Sequence, residues 1–155
     1  VPANAPGDVI NLTANLTAAQ SINLDTNATT GTLNIGDPTT AFFGYTLQSS
    51  NASTLTFDNG SLGATLAKAA AATSTDVISA GIVLNDNLAI SNLNANLTGQ
   101  LILSGSITET GGPRNITVSG VAASSNGVTV LAGNNSFTGT VTINSGTLAA
   151  VGADS

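Results

Sequence analysis

The 155-residue sequence contains no cysteine, histidine, methionine or tryptophan. Without cysteine there is no disulfide and no thiol chemistry. Without cysteine and histidine, a Ser-His-Asp or Cys-His nucleophile and a zinc or haem site lose their usual groups. Charge is also scarce, with Lys68 and Arg114 the only bases against eight acids and a net charge of -6. Affinity for nucleic acid grows with the number of Lys and Arg that neutralise phosphates, so no nucleic-acid partner is expected. No run of about 18 apolar residues is long enough to span a bilayer, and no basic amphipathic stretch could lie on one, so no membrane insertion is expected. The chain starts at Val1 rather than Met, and VPANAPGD reads as the polar start of a mature chain left after signal-peptide cleavage. The low charge and the Thr/Asn-rich surface favour an extracellular or cell-surface location.

The acids Asp8, Asp25, Asp37, Asp58, Asp76, Asp86, Glu109 and Asp154 lie at least 10 positions apart, as between Asp76 and Asp86. Sugar-cleaving enzymes built on β-folds use paired carboxylates, or bases with bound calcium, and neither pattern is visible. The chain is not expected to be an enzyme, and no cofactor is expected. Asp58-Asn59-Gly60 and Asp86-Asn87 are fragments of calcium loops without the six or more oxygens such an ion needs, and they read as turns.

Charged residues make up 6% of the chain against roughly 25% in an ordinary domain. Hydrophobic residues hold their usual share, so the deficit is filled by Ser, Thr, Asn and Gly, which implies a surface of hydroxyls and amides. Short alternating apolar runs recur throughout: 9–12, 21–24, 32–35, 54–57, 81–84, 88–90, 100–103, 115–118, 128–131 and 141–143. Turn-forming residues separate them, and this spacing predicts an all-β fold. The Ala-rich run 64–73 has helix propensity, but in this setting a small-residue strand or irregular segment is favoured. In Ala41-Phe42-Phe43-Gly44-Tyr45, adjacent residues of a strand point to opposite faces, so either one phenylalanine marks a contact with a neighbouring molecule or, the favoured reading, a bend at Gly44 buries both.

Three segments share a Thr-Gly-x-apolar-x-apolar pattern: Thr30–Ile35, Thr98–Leu103 and Thr138–Ile143. The second and third copies are offset by 40 positions, and their best extents are 94–107 and 134–150. Offsets of 40 and 68 suggest a unit of roughly 20–23 residues, in the range of solenoids. A right-handed parallel β-helix with coils of that length accounts for these features in a single domain, with residues 1–7 as a polar arm. Its inward side chains would form apolar columns and its outward ones Thr and Asn rows. Gly31, Gly99, Gly139 and Gly146 would mark corners where positive φ is needed. An antiparallel sandwich competes, but Asn59-Gly60 and Asn126-Gly127 are the only Asn-Gly hairpin signals.

The stretch NNSFTGTVTINSGTLAAVG, through Asn135, Phe137, Thr138, Gly139, Thr142, Ile143, Gly146, Thr147 and Leu148, resembles the autotransporter-associated β-strand repeat of bacterial surface and secreted proteins. That resemblance covers about a quarter of the chain, and it implies an exported parallel β-helix acting as stalk, adhesin or passenger domain. The terminal strands, carrying Val9, Ile10 and Leu12 at one end and Val141, Ile143 and Leu148 at the other, are as apolar as the middle ones and are candidates for subunit contact. Head-to-tail self-association, or continuation into neighbouring repeats of a longer chain, is the partner expectation. A passenger or adhesin domain binding a carbohydrate or host surface is the alternative, and a polysaccharide-acting enzyme ranks third. Alternating threonines such as Thr54/Thr56, Thr73/Thr75 and Thr138/Thr140/Thr142 also suit an ice-binding face, but β-propensity explains them.

Overall fold

The computed structural model describes residues 4–39, 42–70, 73–95, 98–120 and 127–151. Positions 1–3 of the arm, Ala41, 71–72 of the Ala-rich run, 96–97 of the middle repeat copy, Asn126 and Asp154 lie outside the described residues. Three parallel sheets run along the molecule. The first contains β1 (Val9–Leu12), β4 (Thr32–Ile35), β7 (Ala64–Lys68), β10 (Leu88–Asn92), β13 (Ile116–Gly120) and β15 (Val141–Ile143). The second contains β2 (Gln20–Asn23), β5 (Tyr45–Gln48), β8 (Asp76–Ile78), β11 (Leu101–Leu103), β14 (Val128–Leu131) and β16 (Thr147–Ala150). The third contains β3 (Ala28–Thr30), β6 (Thr54–Phe57), β9 (Gly81–Leu84) and β12 (Ile107–Glu109). Every pairing is parallel and joins a strand to its counterpart one coil away, so the fold is a parallel β-solenoid of about five turns. No helix occurs among the described residues.

Coils average about 25 residues rather than 20–23. Their length varies because the connections between strands differ in length: Val9 pairs with Thr32, but Thr32 pairs with Thr65, with longer connections between β4 and β5 and between β6 and β7. The Thr-Gly segments explain the short estimate. Copies 30–35 and 138–143 enter the first sheet at β4 and β15, whereas 98–103 enters the second at β11. An offset of 40 thus connects positions on different sides of the coil, and dividing it gives no true period.

Parallel register keeps side-chain parity constant from coil to coil, so each inward position becomes a column. One column runs Ile10, Leu33, Leu66, Ile90, Val118, Ile143, and another Ile22, Leu47, Ile78, Leu103, Leu131. Leu33, Leu66 and Ile78 have no exposed surface. Each such side chain contributes about 1.5–3 kcal/mol when fully buried. The Ala-rich run supplies β7, whose small Ala64 packs inside the first sheet. Phe42 and Phe43 correct the expectation of burial. Phe42 is 87% and Phe43 38% exposed, because both precede Gly44 in the corner before β5 and only Tyr45 enters the interior.

Corners are held by asparagine. Asn27 Oδ1 accepts from Thr54 N–H at 3.0 Å, Asn87 Oδ1 from Asn115 N–H at 2.8 Å, and Asn115 Oδ1 from Thr140 N–H at 2.9 Å. Each side chain thereby satisfies a backbone donor of the next coil that the sheet ladder does not reach. These asparagines serve the corners without positive φ, since the non-glycine residues described with positive φ are Ala52 and Ser61. The N-terminal segment uses the same device: Asn4 Oδ1 accepts from Thr29 N–H at 2.8 Å, and Gly7 N–H donates to Asp58 O at 2.9 Å.

Candidate functional site: the end coils

At each end of the solenoid the sheets present strands paired on one side only. In the sheet orders β1, β2 and β3 form one set of edges and β15, β16 and β12 the other. An edge of this kind presents N–H and C=O groups outside the ladder and is a template for another strand, but β3 and β12 are partly covered, Thr29 N–H donating to Asn4 Oδ1 and Ile107 N–H to Asn135 Oδ1. The two ends differ in how well their apolar side chains are covered. At the β1 end Ile10, Leu12, Ile22 and Leu24 are half-buried. Leu16, in the connection after β1, is buried and tied down by its N–H donating to Asp37 Oδ2 at 2.7 Å. At the β15 end Val141 and Ile143 continue the inward columns of Ile116 and Val118, yet they are 40% and 52% exposed. Inward orientation with exposure means that the apolar column of the first sheet is open there.

The candidate contact residues sort accordingly. Ile10 and Leu12 face inward at the first end, while Val9 sits in the outward column of Thr32 and Thr65 and is 51% exposed. Leu148 lies half-buried in the inward column of Leu101 and Thr129. Of the four corner glycines, Gly146 alone has positive φ, at 80°. The other three are fixed by lack of room: a Cβ at Gly31 would stand 2.7 Å from Gly7 Cα, at Gly99 2.4 Å from Asn94 Cγ, and at Gly139 1.9 Å from Arg114 O.

The motif around residues 134–150 has a physical role at most of its positions. Asn135 Oδ1 accepts from Ile107 N–H at 3.0 Å, Phe137 packs on the core, Gly139 permits the close approach, and Gly146 turns the chain into β16. Thr138 donates from both its N–H (2.7 Å) and Oγ1 (2.5 Å) to Glu109 Oε1. The hydroxyl bond, more than burial, holds the Glu109 carboxyl below the usual carboxylate range.

Sequence reasoning passed over the most unusual chemistry of the interior. Lys68 and Asp76 form an ion pair in which neither side chain has exposed surface. The signal was present: Ala64, Leu66 and Lys68 share one face of a strand, so burying the first two buries the third. Burial pushes the Lys68 amine below the usual lysine range, and the Asp76 carboxylate opposes that shift. Elsewhere the acids stay apart or serve turns. Asp58 Oδ1 accepts from Gly60 N–H at 2.9 Å, as the turn reading of that segment requires. Two hydrogen bonds tie this turn to the next coil, Asn85 Nδ2 donating to Asp58 Oδ2 at 3.0 Å and Asn59 N–H to Asp86 Oδ2 at 2.5 Å. Among the described residues no group of three or more acids is placed to hold a metal ion.

No family model, curated protein or solved structure matches the chain.

Proposed function

We propose that this protein is a structural element of a bacterial cell surface, a β-helical unit of an extracellular fibre or stalk that joins like coils end to end. The observation that carries this reading is the open C-terminal coil, where Val141 and Ile143 point along the core columns but remain 40% and 52% exposed. A matching coil would bury both side chains and pair the free edges of β15 and β16 by strand addition. It would come either from a second copy or from neighbouring repeats of a longer chain. The sparse charge of the chain offers little repulsion to such stacking. The resemblance to autotransporter-associated repeats belongs to the same proposal and supplies the exported, surface-bound setting. In this reading the protein needs no cofactor and performs no catalysis.

Electron microscopy of the purified chain over a concentration series tests the self-associating form. Filaments or stacked rods that lengthen with concentration are expected, and disappear when Ile143→Asp places a charge in the joint. Monodisperse particles at every concentration would refute self-association. An adhesin domain is the second reading, favoured by the protruding Phe42 and by Leu62, which is 85% exposed. It predicts a defined carbohydrate or host ligand whose binding is lost in Phe42→Ala with assembly unchanged.

A further inference from the structure

We propose that Lys68 and Asp76 condense to an intramolecular amide, giving the solenoid a covalent brace between its first and second sheets. Lys68 ends β7 on the first sheet and Asp76 opens β8 on the second, and their side chains meet in the interior between the two sheets. The two carboxylate oxygens of Asp76 have different neighbours. Oδ1 accepts from Tyr45 N–H at 2.8 Å, while Oδ2 is in direct contact with Lys68 Nζ. Nζ donates in addition to the carbonyl of Ser74 at 2.9 Å.

The neighbouring coil backs the carboxylate closely. A Cβ at Gly36 would lie 3.0 Å from Oδ2 and one at Gly44 3.3 Å from Oδ1, so glycine at both positions lets the backbone come that near. Holding two reactants in contact, with orientation fixed by separate hydrogen bonds, replaces a bimolecular encounter by an intramolecular one. Both groups are fully buried, and leaving two charges in such an interior is costly. Burial also moves the Lys68 amine toward its neutral, nucleophilic form.

The step balances within the pair. A proton passes from Nζ to Oδ2, the lone pair so freed on Nζ attacks Cγ of Asp76, forming an N–C bond, and the Cγ–Oδ2 bond breaks. Of the three hydrogens on the ammonium, two leave with Oδ2 as water and one stays on the amide nitrogen. No oxidant, reductant or other reactant is consumed. The hydrogen bonds already in place suit the product: Oδ1 becomes the amide oxygen facing Tyr45 N–H, and the remaining N–H faces Ser74 O. Condensation therefore removes two buried charges and keeps a partner for both polar atoms of the new bond.

Intact-mass measurement on the full chain, followed by trypsin digestion after denaturation, tests the proposal. Lys68 and Arg114 are the only residues after which trypsin cuts. The expected result is a mass lower than that of the sequence by one water, a peptide spanning 1–114 that resists cleavage after Lys68, and a fragment spectrum joining Lys68 to Asp76. The Lys68→Met variant should recover the full mass. Full mass in the parent chain, with separate peptides 1–68 and 69–114, overturns the proposal and leaves an ordinary ion pair. Loss of one water with normal cleavage after Lys68 also overturns it, because the dehydration then lies elsewhere. Both readings come from the parent chain and hold even where a variant fails to fold.

Discussion

Replacing Phe57 by alanine is expected to destabilise the solenoid by about 3–5 kcal/mol, the range for a buried aromatic cut back to a methyl group. Phe57 has no exposed surface and stands in the third sheet between Thr30 of the coil before and Leu84 of the coil after. The alternating runs of the chain supply mostly Leu, Ile and Val to the core, and among the described residues this ring is the largest fully buried side chain. A parallel sheet also resists local collapse, because each strand is hydrogen-bonded on both sides and cannot move toward the cavity without breaking ladders. Denaturant unfolding followed by circular dichroism checks the value. Phe57→Leu, which keeps most of the volume, should recover a large part of the loss. A change below about 1 kcal/mol for Phe57→Ala would mean that the column is not packed as described.

Asp76→Ala should cost a similar amount, about 3–5 kcal/mol, for a different reason. It leaves the Lys68 amine in a dry interior without its counter-charge and removes the acceptor of Tyr45 N–H. The direction is the same whether the native bond is ionic or covalent. Pairing Asp76→Ala with Lys68→Met removes the stranded amine and should restore part of the stability, since an apolar replacement of a buried pair is often neutral. A double-mutant cycle by denaturant unfolding measures this coupling. If the single and double variants lose the same stability, the cost lies in Tyr45 and the corner rather than in the charge.

These two positions also mark how far the sequence could be read. Phe57 was legible, since TLTF alternates and its apolar positions must share a face. The same parity marks Leu33, Leu66 and Leu103, and parallel stacking follows from short strands with few hairpin turns. Lys68 obeyed the parity rule too, but a lysine in an Ala-rich run argues for solvent, and only the partner at Asp76 makes its burial tolerable. The strands β3, β5, β8 and β12 escaped pattern recognition because they alternate over only three or four residues and include Thr, Gln, Asp or Glu. Phe42 and Phe43 were misread because their exposure depends on the corner's path, which no local alternation records. The coil length was misread because resemblance between Thr-Gly segments reflects the shared chemistry of a corner entering a strand. That chemistry recurs on the first and second sheets and so carries no single period.

The end coils were legible as apolar strands, although the sequence could not say which end is better covered. In the first coil Leu16 is buried and anchored to Asp37, whereas Val141 and Ile143 stand open at the other end.

Hydrogen exchange of the backbone amides, followed as a function of protein concentration, tests end-to-end joining most directly. If coils join through these edges, amides in residues 141–150 and 9–12 gain protection as concentration rises, while those of the central strands β7 to β11 stay constant. Protection at both ends that is independent of concentration, in a chain whose central strands exchange slowly, would contradict end-to-end self-association.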